Sequence, residues 1–236
     1  YAAWALFRPD AWDGRDAAYA NAEGYDETGG FSPWLYRGED GSIAEELLYW
    51  GESYYDEDYY RIPASTARPA VLAPYVDDDY ASTLMTTVSV PLLDEGGAVY
   101  GVFGIDIGLG TLSARIGAAD AADLSKGWTA LVSPEGAVLA HTDSALVGKK
   151  FEELEGADNA AALLAAADAV SAATAGEGKW DTARKVAEPV SFTSLLNGKK
   201  SYAAVANVDI GGLASWRLVT TVPATVAEEA ANLAAA

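Results

Sequence analysis

Aromatic rings and carboxylates crowd one span of this sequence in a combination that suits a small cation. Tyr54, Tyr55, Tyr59, Tyr60, Tyr75 and Asp77 fall close together, and Asp106 follows inside the apolar run 102–107. Alternate side chains of an extended strand share a face, which sets Val102, Gly104 and Asp106 side by side. A carboxylate on a central strand is costly to bury unless it is paired or hydrogen-bonded. Ring faces attract an ammonium group and a carboxylate accepts its N–H bonds, so the pattern reads as a site for an amine. The plainer alternative is that these tyrosines fill core and surface.

Other chemistries find less support. The glycine-rich stretch 101–110 lacks both the dinucleotide-binding spacing and a phosphate-loop lysine, and reads as a packed strand. His141 is the single histidine, which excludes a His-pair zinc site, and at a strand end it reads as structural. The absence of cysteine removes disulfides, thiolate metal sites and thiol nucleophiles. No serine occupies a nucleophile elbow. The acidic runs 56–58 and 77–79 offer oxygens to calcium but follow no EF-hand pattern, and solvated loops are the simpler reading. Among 35 acids a glycosidase-like carboxylate pair carries no information.

The elements that must position these groups follow from composition and pattern. The 236 residues carry 15 basic and 35 acidic side chains, a net charge of −20, yet 50% are hydrophobic, so the chain is globular rather than disordered. Such acidity speaks against nucleic acid and anionic membrane surfaces, which need Lys and Arg. Residues 1–110 hold 20 of the acids, only 5 bases and 12 of the 13 tyrosines, which points to two modules with different roles.

Residues 1–60 read as short helices and an ordered loop carrying Trp4, Trp12, Tyr19 and Tyr25. A turn at 28–34 leads to a short strand ending near Arg37, and a helical turn or two covers 43–54. Strands are expected over 70–76, 82–93 and 98–107, the last two joined by a hairpin turn at 94–97, with a short helix over 108–116. A second hairpin pairs 128–133 with 137–141, a helix covers 151–175, and a third hairpin pairs 200–208 with 216–222. This is an α+β pattern of two tandem modules. Their bounds are expected at 1–115 and 116–223, followed by an alanine-rich helix over 224–236. No run approaches the roughly 18 apolar residues of a membrane span, and no signal peptide is visible, so the chain reads as a segment of a longer protein.

Read together, several short segments resemble a known family. They are Tyr59-Tyr60-Arg61-Ile62-Pro63, Ala73-Pro74-Tyr75-Val76-Asp77, the strand 84–91 and Gly101-Val102-Phe103-Gly104-Ile105-Asp106-Ile107, with 26–37 upstream and 136–141 and 147–149 downstream. Their order and spacing resemble the double Cache sensor domain of prokaryotic chemoreceptors and sensor histidine kinases. The resemblance implies two PAS-like modules stacked along a long N-terminal helix, which this sequence does not contain. It implies an extracytoplasmic position between two membrane helices, also absent from this chain, and a homodimeric full receptor.

The membrane-distal module of that family holds the ligand. Carried over position by position, the family's aromatic pair is Tyr59 and Tyr60, its Tyr-x-Asp is Tyr75 and Asp77, and its strand acid is Asp106. Thr87 and Arg61 complete the candidate set. The arginine that the family places two residues before the pair is Glu57 here, which speaks against an α-carboxylate grip unless Arg37, Arg61 or Arg68 supplies it. The expectation is therefore a sensor for a small polar metabolite, an amine or amino acid first and a short carboxylate such as acetate second. No cofactor, metal, catalytic residue or nucleic acid is called for. A metal-assisted hydrolase and a ligand-free dimerisation module are the readings from other classes.

Overall fold

The first six described residues, Ala2–Phe7, alternate between buried and half-buried positions and form a strand, β1. The computed structural model describes residues 2–38, 40–47, 52–77, 83–117, 126–174 and 188–234. The expected helices and loop over residues 1–60 are thus corrected at their start. A six-residue apolar stretch carries too little periodicity to declare itself, and its two strand partners decide its state. After it come a one-turn helix α1 (Asp16–Tyr19), β2 (Pro33–Arg37) and β3 (Ile43–Leu47). The short strand ending at Arg37 agrees with its pattern. The helical reading of 43–54 does not hold over its first part: Ile43–Leu47 pairs antiparallel with β2, and ladder bonding overrides the helix propensity of Ala, Glu and Leu. A 3₁₀ turn, Glu52–Tyr55, precedes α2 (Asp58–Thr66).

The stretch read as one strand over 70–76 is two short ones, β4 (Ala70–Val71) and β5 (Tyr75–Asp77), both paired with β6 (Thr83–Leu93). Pro74 lies between them and has no N–H to continue a ladder. The Asp94 carboxylate accepts from the backbone N–H groups of Gly96 and Ala98, closing the turn into β7 (Val99–Gly108). The resulting seven-stranded antiparallel sheet runs β3-β2-β1-β7-β6-β4, with β5 also on β6. Its inner face carries Ala2, Trp4, Leu6, Trp34 and Val102, packed against Tyr60 of α2.

The chain divides into two compact units, Tyr1–Gly108 and Leu109–Ala236. The second opens with α3 (Leu109–Gly117), near the helix expected at 108–116. The hairpin β8 (Thr129–Val132) and β9 (Val138–His141), helices α4 (Phe151–Glu155) and α5 (Ala157–Thr174), and the hairpin β11 (Lys200–Ile210) and β12 (Ala214–Pro223) follow their patterns. One further strand, β10 (Val190–Thr193), lies at the sheet edge, giving the order β10-β11-β12-β8-β9. Its core joins Trp128, Val132, Val138 and Val219 to Phe151 of α4 and Leu163 of α5. The chain closes on α6 (Ala224–Ala234). Two antiparallel sheets with flanking helices make the α+β class that the patterning implies. Residues 48–51, 78–82, 175 and 235–236, on which parts of several expected elements fall, lie outside the described residues.

Candidate functional site

Strand register builds the site. On the inner face of the first sheet, Ala2 of β1 and Thr87 of β6 flank Asp106 of β7, while Trp4 sits opposite Gly104. Asp106 is buried, with 5% of its surface exposed, and its neighbours in sequence, Ile105 and Ile107, point to the other face. Two side chains donate to its Oδ1: the Trp4 indole Nε1–H at 3.0 Å and the Thr87 hydroxyl at 2.7 Å. The Tyr75 hydroxyl lies 2.7 Å from Thr87 Oγ1. Thr87 has one proton and spends it on Asp106, so Tyr75 is the donor to Thr87. Among the described residues no donor reaches Asp106 Oδ2.

Gly104 makes this arrangement sterically accessible. A Cβ at that position would stand 2.2 Å from Cε2 and Cζ2 of Trp4 and 2.8 Å from its Nε1. With no side chain there, the indole lies across β7 and reaches the acid two residues along. Tyr59 meets the Trp4 ring edge-to-face at 5.3 Å, and Tyr75 lies 6.3 Å from Tyr59. The result is an aromatic wall beside a buried carboxylate.

Burial raises the pKa of Asp106 above the ordinary carboxylate value, against the lowering effect of the Thr87 and Trp4 hydrogen bonds. The charge of Asp77 adds to the rise. Burial likewise pushes the hydroxyls of Tyr59 and Tyr75 far up, so both stay neutral donors. Tyr55, whose hydroxyl donates to the Phe7 carbonyl at 2.8 Å, is pushed up to about 12 by burial first and the neighbouring Tyr60 second.

The structure brings five of the expected residues together: Tyr59, Tyr75, Asp77, Thr87 and Asp106. Asp77 joins through charge, since it raises the pKa of Tyr59, Tyr75 and Asp106 alike. Tyr60 turns into the core, 4% exposed and edge-to-face with Tyr55 at 5.0 Å, because adjacent residues of a helix point about 100° apart. Arg61 is exposed and pairs with Asp58 one turn back on α2. Arg37 is exposed and donates to the Gly41 carbonyl, and Arg68 is exposed as well. The first unit has no lysine or histidine, and all five of its arginines, Arg8, Arg15, Arg37, Arg61 and Arg68, are exposed. Trp4 is the site residue that sequence reasoning missed, since its partner stands 102 positions away.

His141 lies fully buried in the second unit, stacked on Trp128 at 5.6 Å, and its Nδ1 accepts from the Asp143 backbone N–H at 2.9 Å. The described residues contain no cluster of three metal-ligating side chains, while Asp78 and Asp79 lie outside them.

With this geometry in hand, comparison with known proteins is informative. Residues 10–114 match the family described as the first PDC sensor domain of methyl-accepting chemotaxis protein-like receptors. That match covers 105 of the 236 residues, so it is the first unit that is similar to a PDC-type sensor domain. It is 29% identical over 168 residues to the methyl-accepting chemotaxis protein TlpQ of Pseudomonas aeruginosa, a match covering 64% of this chain and 23% of that receptor's length. The extracellular domain of a protein described as a histidine kinase, mmHK1S-Z3, superposes with a TM-score of 0.67 at 24% identity, covering 99% of this chain and 75% of that one. The ligand-binding domain of the Pseudomonas fluorescens chemoreceptor CtaA, in complex with L-isoleucine, gives 0.53 at 18% identity over 97% of this chain and 71% of that one. These structural likenesses, all below 25% identity, show the fold that this chain shares with those extracellular and ligand-binding domains. None of the helices described is long and apolar enough to cross a membrane.

Proposed function

We propose that the first unit of this sensor domain binds a small primary amine, and that the chain is the extracytoplasmic part of a transmembrane receptor. One observation carries the reading: a buried carboxylate, one oxygen of which takes no donor from the described residues, stands beside an aromatic wall, in a unit whose five basic side chains are all exposed. An ammonium group donating to Asp106 Oδ2 would face Tyr59 and Tyr75, with Asp77 adding negative charge. An α-carboxylate or acetate finds no comparable partner there, so the amine is favoured over the amino acid and over the short acid. The L-isoleucine held by CtaA keeps the amino acid as the second member of the test panel.

In this reading the first unit is the membrane-distal module and the second passes the response on to a membrane helix that follows α6. The ligand shifts the receptor only by its differential affinity for two states, so a ligand-dependent rearrangement around β5 and α2 is the expected signal.

Calorimetry with n-propylamine, alanine and acetate on the whole chain tests this reading. The amine should bind. Asp106→Asn should weaken it at least a hundredfold, since a buried charge that loses its partner costs about 3–5 kcal/mol. Acetate binding that survives Asp106→Ala would sink the reading.

A further inference from the structure

We infer that Trp4 is a positioning residue: laid over Gly104, its indole N–H joins the Thr87 hydroxyl on Oδ1 of Asp106 and so leaves Oδ2 as the acceptor turned to the ligand. The inference rests on the amine reading for the ligand but on geometry alone for the carboxylate. Three observations support it. Both donors converge on one oxygen, at 3.0 and 2.7 Å, where a carboxylate has lone pairs on two. The residue facing Trp4 in register is the one whose Cβ would collide with the ring. The second donor is itself oriented by Tyr75, so the Asp106 carboxylate is held from β1, β6 and β5 at once.

A tryptophan needed for packing alone would be replaced well by phenylalanine. A tryptophan needed for its N–H would not. The hydrogen bond favours the charged carboxylate, and its loss raises the acid's pKa. Among the described residues the titratable side chains that couple to Asp106 are Tyr75 and Asp77 on β5, while Glu57 and Tyr59 at the start of α2 couple to Tyr75. Neither tyrosine ionises near neutral pH.

The experiment uses the whole chain as wild type, Trp4→Phe and Gly104→Ala. The Asp106 carboxyl carbon is followed by NMR titration without ligand, assigned by its loss in Asp106→Asn. The affinity for n-propylamine is then measured across pH. In Trp4→Phe the Asp106 midpoint should rise by about one pH unit, the equivalent of one lost charge-assisted hydrogen bond. The acidic limb of amine affinity should move with it, and affinity above that limb should fall about tenfold. Gly104→Ala, which displaces the indole while keeping it in the sequence, should reproduce the midpoint shift. A midpoint unmoved in both folded variants overturns the inference and leaves Trp4 as packing. If Trp4→Phe fails to give a cooperative melt, Gly104→Ala decides alone. Shifted midpoints with no amine binding by the wild type would uphold Trp4's role and reject the amine reading.

Discussion

Among the described residues each unit buries one carboxylate, and the two are handled in opposite ways. Glu155, at the C-terminal end of α4, is fully buried, and both of its oxygens are engaged: Oε1 accepts from the Ser194 hydroxyl at 2.6 Å and Oε2 from the Leu195 backbone N–H at 2.8 Å. Ser194 Oγ in turn accepts from the Trp128 indole at 3.2 Å, which ties a loop, a helix and the core together. Asp106 accepts directly from a tryptophan and a hydroxyl, but both fall on one oxygen. Similar parts make a closed structural knot in one unit and an open acceptor in the other. Complete satisfaction makes Glu155 part of the fold's frame, whereas among the described residues Asp106 keeps one oxygen without a donor, the feature on which the amine proposal rests.

That contrast can be broken from either side. Glu155→Leu should give the largest effect, because it strands the Leu195 N–H and the Ser194 hydroxyl without an acceptor. A loss of about 3 kcal/mol is expected at 1–3 kcal/mol per orphaned buried group, read by urea or thermal unfolding. Asp106→Asn should behave conversely. It removes a desolvated charge while keeping an oxygen for Trp4 and Thr87, so unfolding stability should hold or rise by up to about 1 kcal/mol while the amine site is lost. A stability loss as large as that of Glu155→Leu would erase the distinction.

The smallest effect is one of pH. Burial lowers the pKa of His141 from the usual 6.5, so the unfolded chain takes up a proton that the folded chain refuses. Stability should fall as pH drops below 6.5, by at most about 1.4 kcal/mol per pH unit down to the folded value, and His141→Gln should remove that slope. Asp106 has the opposite sign. Its raised pKa means the folded chain holds its proton longer, so this group's contribution to stability declines as pH rises through the interval between the ordinary and the raised value. Amine affinity, which needs the carboxylate, should rise over the same interval. Melting temperature and calorimetric affinity measured across one pH series separate the two.

Much of this architecture was legible where local signals suffice. The hairpins β6–β7, β8–β9 and β11–β12 announce themselves through alternating β-branched residues closed by Gly-containing turns, and Asp106 stands out as an acid inside an apolar run. The elements that escaped depend on distant partners. Ala2–Phe7 is too short to show a period, and its strand state comes from β2 and β7 together. Ile43–Leu47 is made of helix formers that a single neighbouring strand overrules. Within the site, Tyr59 and Tyr60 are equivalent as letters and separate only once α2 turns one towards Trp4 and the other into the core. Arg61, adjacent to both, turns outward to Asp58.

Placing β1 between β2 and β7 also sets an order of events. Trp4 leaves the ribosome 102 residues before its carboxylate partner. Until then the N-terminal strand has β2 on one side and an open edge on the other, so closure of the sheet waits on the last strand of the unit. Non-local pairing of this kind slows folding. The β1–β7 pairing that sets Trp4 beside Asp106 in the candidate site is thus also the one that closes the sheet, and a first unit cut short before β7 would lack both together.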